Sequence, residues 1–175
     1  MIETVSRRAI IAVMVILMWA GMAYAEKLTP QMCKDKVIAA AKLIEEKGDD
    51  AIPLIKDEKG EFRFGEGQGY IWVHDLQGKM IMHPIKPALD GSFLLDTADP
   101  EGSLFFAVMN ELVQKQGSGW VPYKWPKPGD TKVYQKISFV KLVKKGDKTY
   151  VVGAGMYDVG PDDIKKQFPS DAISE

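Results

Sequence analysis

Apolar residues along this chain switch between two spacings, and the switches mark out its elements. Cys33, Val37, Ala40, Ala41 and Ile44 recur at three- and four-residue intervals, which sets them on one face of a helix. Thr29 before Pro30 supplies an N-cap and a first helical residue, and Gly48 stops the run. The pattern predicts a helix of about five turns, with Lys34, Lys42 and Glu45 among its solvated positions.

Turn residues dominate from Asp49 to Gly69, where Phe62 and Phe64 flank Arg63 in a minor strand. The run GYIWVHD (69–75) is rich in aromatic and β-branched residues and predicts a strong strand. Leu76-Gln77-Gly78 turns the chain, and Lys79 to His83 returns as the second strand of a hairpin. Pro84 and Pro87 end it, because proline cannot donate to a sheet ladder. A loop dense in Asp and Gly follows from Ala88 to Asp99. Asp99-Pro100-Glu101 is expected to open a second helix with Leu104, Phe105, Val108, Leu112 and Val113 on its apolar face and Gly117 at its end.

Three strands complete the pattern: Gly119–Trp125, Thr131–Val143 and Thr149–Tyr157. Pro126–Asp130 and Lys144–Lys148 turn between them, and Val133, Ile137, Phe139 and Val140 alternate along the middle one. Gly153 and Gly155 predict a bulge or a close backbone approach in the last strand. Asp158 to Phe168 holds a short closing helix, and the tail beyond it is expected to fray. Strands joined by tight turns are antiparallel neighbours. The fold class is therefore α+β: one antiparallel sheet of about five strands, a long N-terminal helix and flanking helices.

The N-terminus changes the picture. Arg7 and Arg8 precede an apolar run from Ala9 to Ala20, and Ala23-Tyr24-Ala25 is a small-x-small cleavage pattern. Residues 1–25 read as a signal peptide cut before Glu26, which places residues 26–175 in the periplasm as one domain. The competing reading is an uncleaved anchor, but the uncharged stretch Ala9–Ala25 is short and lacks a basic stop-transfer flank. Ser6-Arg7-Arg8 leaves Sec and twin-arginine export both open. Setting aside Arg7, Arg8 and Glu3 leaves 21 basic and 23 acidic residues, a net charge of −2. No basic stripe marks a nucleic-acid partner. A single cysteine excludes an internal disulfide, leaving Cys33 as a buried thiol or an interchain partner.

Candidate chemistry concentrates in the strands. Tyr70, Trp72 and His74 share one face of the first strand, with Ile71 and Val73 on the other. Trp120, Tyr123 and Trp125 crowd the third strand, and Tyr157 closes the last. Rings with polar tips suit a small-molecule pocket, but spacing alone favours an ordinary core. His83 before Pro84 is either a donor to an anion or a structural histidine bonded to a loop carbonyl. Lys136 inside a strand faces solvent or turns inward to an anion.

Catalytic motifs fail their context tests. Two histidines without metal-ligand spacing do not make a metal site. Asp90, Asp96 and Asp99 do not fit an EF-hand. Gly65-Glu66-Gly67-Gln68-Gly69 precedes a strand instead of opening a helix, so it is no phosphate loop. Ser118 lacks a nucleophile elbow. The reading is of a non-enzyme with no cofactor and no metal.

Four blocks in order carry a resemblance: GYIWVHDLQGKMIMHPIKPALDG (69–91), GSGWVPYKWPKPG (117–129), KISFVK (136–141) and VVGAGMYDV (151–159). Together they resemble the single Cache domain family, its type-2 branch, with the helix 30–47 in the place of the family's long N-terminal helix. The resemblance implies an extracytoplasmic PAS-like sensor fold that holds a short carboxylate such as acetate, propionate, pyruvate or lactate. Carried over position by position, it implies Tyr70, Trp72, His83, Tyr123, Trp125, Lys136 and Tyr157 as ligand-binding residues. His83 and Lys136 would meet the carboxylate, and the rings would bound its apolar end. Only 17 residues follow Asp158, so a stand-alone periplasmic member without its own output domain is expected. A membrane receptor, a transporter and a homodimer stay open as its associations. The alternative function is a structural or interaction module that docks or dimerises, through the long helix for instance, without binding a metabolite.

Overall fold

The computed structural model describes residues 26–174; the expected signal peptide lies outside them. Helix α1 spans Pro30–Lys47, and Thr29 Oγ1 accepts the Met32 N–H at 3.2 Å as its N-cap. All five residues of the predicted apolar face are buried, Cys33 among them. Burial pushes the Cys33 thiol up to about 12, against a smaller opposing pull from Lys136. Gly48 ends the helix at φ 61, a left-handed conformation that glycine reaches without strain. Lys145 Nζ then caps the last turn by donating to the carbonyls of Glu45 and Glu46 at 2.7 and 3.1 Å.

A short helix, α2 (Ala51–Lys56), follows where only turns were expected. Its six residues are too few to show a helical period, yet Ala51 and Ile55 are buried against α1. The minor strand is present as β1 (Arg63–Phe64), paired with β2 (Gly69–Tyr70). The predicted first strand breaks at Ile71, so β3 runs only from Trp72 to His74, with β4 (Met80–Met82) as its hairpin partner.

Helix α3 begins at Phe105 and not at Pro100, and ends at Gln116. Asp99 is engaged elsewhere: its carboxylate accepts the backbone N–H groups of Glu101, Ser103 and Lys124. The buried face accordingly turns to Phe105, Phe106, Met109, Asn110 and Val113, leaving Leu104 exposed.

Strands β5 (Ser118–Pro126), β6 (Val133–Lys145) and β7 (Lys148–Tyr157) form the meander. The five-stranded sheet has the order β4-β3-β7-β6-β5 and is antiparallel throughout. Period-two alternation gives each face its own core. Ile71, Val73, Ile137, Phe139, Val152 and Ala154 pack toward α1. Tyr70, Trp72, Val121, Tyr123, Val140 and Val151 join the residues of α3 on the other face.

Helix α4 (Pro161–Gln167) closes the fold as expected. The tail beyond is not frayed. Trp120 N–H donates to Ala172 O at 2.8 Å and Ser174 N–H to Trp120 O at 2.9 Å, which adds a short parallel bridge beside β5. Asp171 accepts from Lys34 Nζ at 2.6 Å and from Trp120 Nε1 at 3.0 Å. Lys34, expected in solvent, is therefore half-buried against the tail and the Phe168 ring.

Candidate functional site: a lysine enclosed by aromatic rings

Five strands bring their ends to one place. Tyr70 comes from β2, Trp72 from β3, Tyr123 and Trp125 from β5, Lys136 from β6 and Tyr157 from β7, while His83 directly follows β4. The seven residues singled out in the sequence thus form one cluster on the α3 face.

Lys136 is its centre. The side chain is 1% exposed, and Nζ donates to Tyr70 Oη at 2.9 Å. The ammonium lies 4.6 Å from the Tyr70 ring centre, 5.0 Å from Trp72, 5.2 Å from Tyr157 and 5.8 Å from Tyr123. Burial alone favours loss of its proton; the phenol oxygens of Tyr123, Tyr70 and Tyr157 outweigh that and hold the ammonium charged, above the ordinary lysine range. No carboxylate pairs with it among the described residues.

The glycines of β7 make this arrangement possible. Gly153 and Gly155 fall on the same sheet face as Tyr157. A Cβ on Gly153 would lie 2.3 Å from the Trp72 ring, and one on Gly155 would lie 2.8 Å from Lys136 Cε. The expected close approach is thus an aromatic ring and a lysine stem laid directly on bare backbone.

His83 borders the cage, its ring 5.2 Å from Tyr70 and 6.3 Å from Trp125. Its Nδ1 accepts the backbone N–H groups of Lys86 and Ile85 at 3.0 and 3.3 Å. Those bonds fix the neutral tautomer with the proton on Nε2. Burial, with Lys136 and Lys86 adding to it, pushes the imidazole down to about 3. His83 is therefore a neutral donor and not a cation at physiological pH, and its structural bond runs from loop N–H groups instead of to a loop carbonyl.

Three residues join the cluster that the sequence did not single out. Phe105 stacks on Tyr123 with ring centres 4.5 Å apart. Lys86 sits 4.2 Å over the Trp125 ring. Ser138 pairs its hydroxyl with Tyr123 Oη at 3.0 Å. Trp72 Nε1 is a buried donor without a partner among the described residues. His74, which shares a strand face with Tyr70 and Trp72, is instead held by Asn110 of α3 at 3.1 Å.

The arrangement offers two cations, Lys136 inside and Lys86 at the rim, and several N–H and O–H donors in an apolar shell, with no acid paired to either among the described residues. No group of His, Cys, Asp and Glu among the described residues is placed to hold a metal. An open cleft of about 830 Å³ lies at the other end of the sheet beside Asp49, Lys79, Asp147 and Tyr150. Asp49 there is already paired with Lys148 and Tyr150, and its lysines, Lys79 and Lys148, are exposed to solvent, unlike the buried ammonium of the cage.

Comparison with known proteins agrees with this architecture. Residues 31–172 match the family model of the Cache domain. Over 102 residues the chain is 41% identical to the methyl-accepting chemotaxis protein McpP of Pseudomonas putida, an alignment covering 57% of this chain and 17% of McpP. It is 38% identical over 91 residues to the sensor histidine kinase MctS of Rhizobium johnstonii, covering 51% and 19% respectively. The chain thus spans less than a fifth of the length of these curated relatives. Among solved structures, a periplasmic sensor domain of a chemotaxis protein aligns with TM-score 0.62 at 36% identity, over 72% of this chain and 92% of that one. A Cache chemosensory domain described for carboxylic acid recognition aligns with TM-score 0.64 at 30% identity, over 74% and 92%. A long N-terminal helix on a five-stranded antiparallel sheet, flanked by further helices, is the PAS-like plan of such domains, and the chain belongs to the Cache domain family.

Proposed function

We propose that this chain is an extracytoplasmic sensor or carrier module that binds a short carboxylate at Lys136, with residues 1–25 as its export signal and 26–175 as the binding domain. One observation carries the reading: a fully buried ammonium that no carboxylate of the described residues neutralises. The rings keep it charged without supplying a counter-ion, so an incoming anion would be the first full negative charge to meet it. Tyr70 accepts from Lys136, so its own O–H is free to donate to a second oxygen. Trp72 Nε1–H and His83 Nε2–H add neutral donors around the same space. The close packing of Phe105, Tyr123 and Trp125 favours a ligand with a short apolar end. The carboxylic acid recognition described for a Cache domain at 30% identity supports the same class.

Calorimetric titration with acetate, propionate, pyruvate and lactate tests this. At least one should bind, and Lys136→Met should weaken it by about tenfold to a hundredfold, the worth of a hydrogen bond to a charged group. Neutral amides of the same size should not bind. Equal binding to Lys136→Met, or equal binding of acid and amide, would overturn the carboxylate reading. Silence across the panel, with self-association in solution, would favour the docking module instead.

A further inference from the structure

The cage is closed around Lys136, so a ligand needs a way in. A cavity of about 250 Å³ lies at the end of β7, lined by Leu28 and Met156 of the α1-face core and by Glu66, Gln68, Tyr157 and Asp158, with Lys27 and Lys127 beside them. Tyr157 belongs to both spaces: it lines this cavity, and its ring centre is 5.2 Å from Lys136 Nζ. Tyr70, the hydrogen-bond partner of Lys136, lies two residues beyond Gln68 of the same wall.

The backbone around this cavity is unusual. Among the described residues, two non-glycine residues have a left-handed φ, Glu66 at 56° and Asp158 at 62°, and both line it. Side-chain-bearing residues reach that region only at a cost, so the surroundings must hold them there. Asp158 is held by an ion pair with Lys127 at 2.6 Å. Tyr157, immediately before it, is paired through its backbone with Lys136 in the β6–β7 ladder, and its hydroxyl donates to Pro126 O at 2.7 Å. Lys27 and Lys127 at the mouth are balanced by Glu66 and Asp158, so charge there neither draws an anion in nor bars it.

We propose that this cavity is the entry portal of the cage and that Tyr157 is its gate. Opening breaks the Tyr157–Pro126 hydrogen bond, and relaxation of the strained Asp158 backbone swings the ring away from Lys136. The proposal rests on the cage being a binding site, but its test needs no ligand. The competing route runs under the 84–90 loop, whose Lys86 covers Trp125 and which Asp90 ties down by accepting the His83 N–H and pairing with Lys56.

The probe is hydrogen exchange of the Trp72 indole N–H, a buried donor bonded to no described group, followed by NMR on protein labelled with ¹⁵N-tryptophan. Water must reach the cage for this proton to exchange. Tyr157→Phe, which removes only the latch, should speed exchange about fivefold to tenfold, the worth of one neutral hydrogen bond. Tyr157→Ala should speed it further. The Trp120 indole, bonded to Asp171, should keep its parental rate, and so should Trp72 in Asp90→Ala. Unchanged Trp72 exchange in Tyr157→Phe would overturn the gate. So would equal acceleration at Trp120, which means general loosening, or acceleration in Asp90→Ala instead, which moves the route to the 84–90 loop. If exchange behaves as expected while no carboxylate binds, the portal stands and the ligand class is wrong.

Discussion

Three atoms already occupy the space that a side chain on Gly155 would need. A Cβ there would lie 2.0 Å from Ser138 Oγ, 2.7 Å from Ile137 O and 2.8 Å from Lys136 Cε. The hydroxyl can rotate aside, but the carbonyl is fixed in the ladder with β7. Gly155→Ala should therefore cost about 1–3 kcal/mol of stability by overpacking. It should also weaken propionate binding, because the lysine stem is pushed off its bed. Urea unfolding and calorimetry measure the two effects, and a variant matching the parent in both would refute this account. Alternate strand positions share a face, which groups Tyr70 with Trp72 and Tyr123 with Trp125, but only the resemblance to the Cache family singled these rings out as a pocket and not a core. The same rule grouped His74 with them, yet its bond to Asn110 holds it under α3. Ser138 could have been found by alternation, two positions after Lys136. Phe105 could not, since nothing distinguishes a helix phenylalanine that caps a pocket from one that fills a core.

At the scale of elements, proline and glycine made the strands readable: Pro84, Pro126 and Gly117 fall at real boundaries. The helix at Asp99 was misread because its local signal was correct and its use was tertiary. The carboxylate satisfies Glu101 and Ser103 as a cap would, but its other oxygen accepts the N–H of Lys124 on β5, and the turn leads to no helix until Phe105. The tail was misread for a similar reason, since its anchor, Asp171, finds its partners 51 and 137 residues away. That anchor can be tested. Asp171→Ala leaves the fully buried Trp120 N–H without an acceptor and Lys34 without a counter-ion. The expected loss is about 2–3 kcal/mol, while Asp171→Asn, which retains an acceptor, should lose less. Carboxylate affinity should not change in either, because Trp120 packs on the α1 face and the cage lies on the other. A chemical denaturation series that ranked Asn and Ala alike would contradict the specific role given to the Trp120 bond.

For the molecule as a whole, two buried imidazoles tie stability to pH. Burial pushes His74 down to about 4, against the smaller opposing effect of its Asn110 hydrogen bond, and pushes His83 down to about 3. In the unfolded chain both return toward about 6.5. Between that value and the folded ones the unfolded chain binds more protons, so acid favours unfolding. Stability is complete above neutrality and should fall by about 2 kcal/mol per histidine between pH 8 and pH 5. Carboxylates held low in the fold, such as Asp49 beside Lys148 and Tyr150, act only at still lower pH. Urea midpoints at pH 8, 6 and 5 measure the histidine window, and a flat profile there would show that neither ring is buried as described.

The sheet order also imposes an order in time. β3 finds its central partner in β7, joining Trp72 to Gly153 and His74 to Val151 across some eighty residues of chain. A ribosome delivers residues from the N-terminus, so β3 and β4 emerge as a hairpin with one side unpaired. They remain so until the last strand of the sheet has been made. Tyr157 is the final residue of that strand. No nascent chain that stops short of Tyr157 can therefore enclose Lys136, and the ring of aromatic residues around it closes only once the last strand of the sheet has been made.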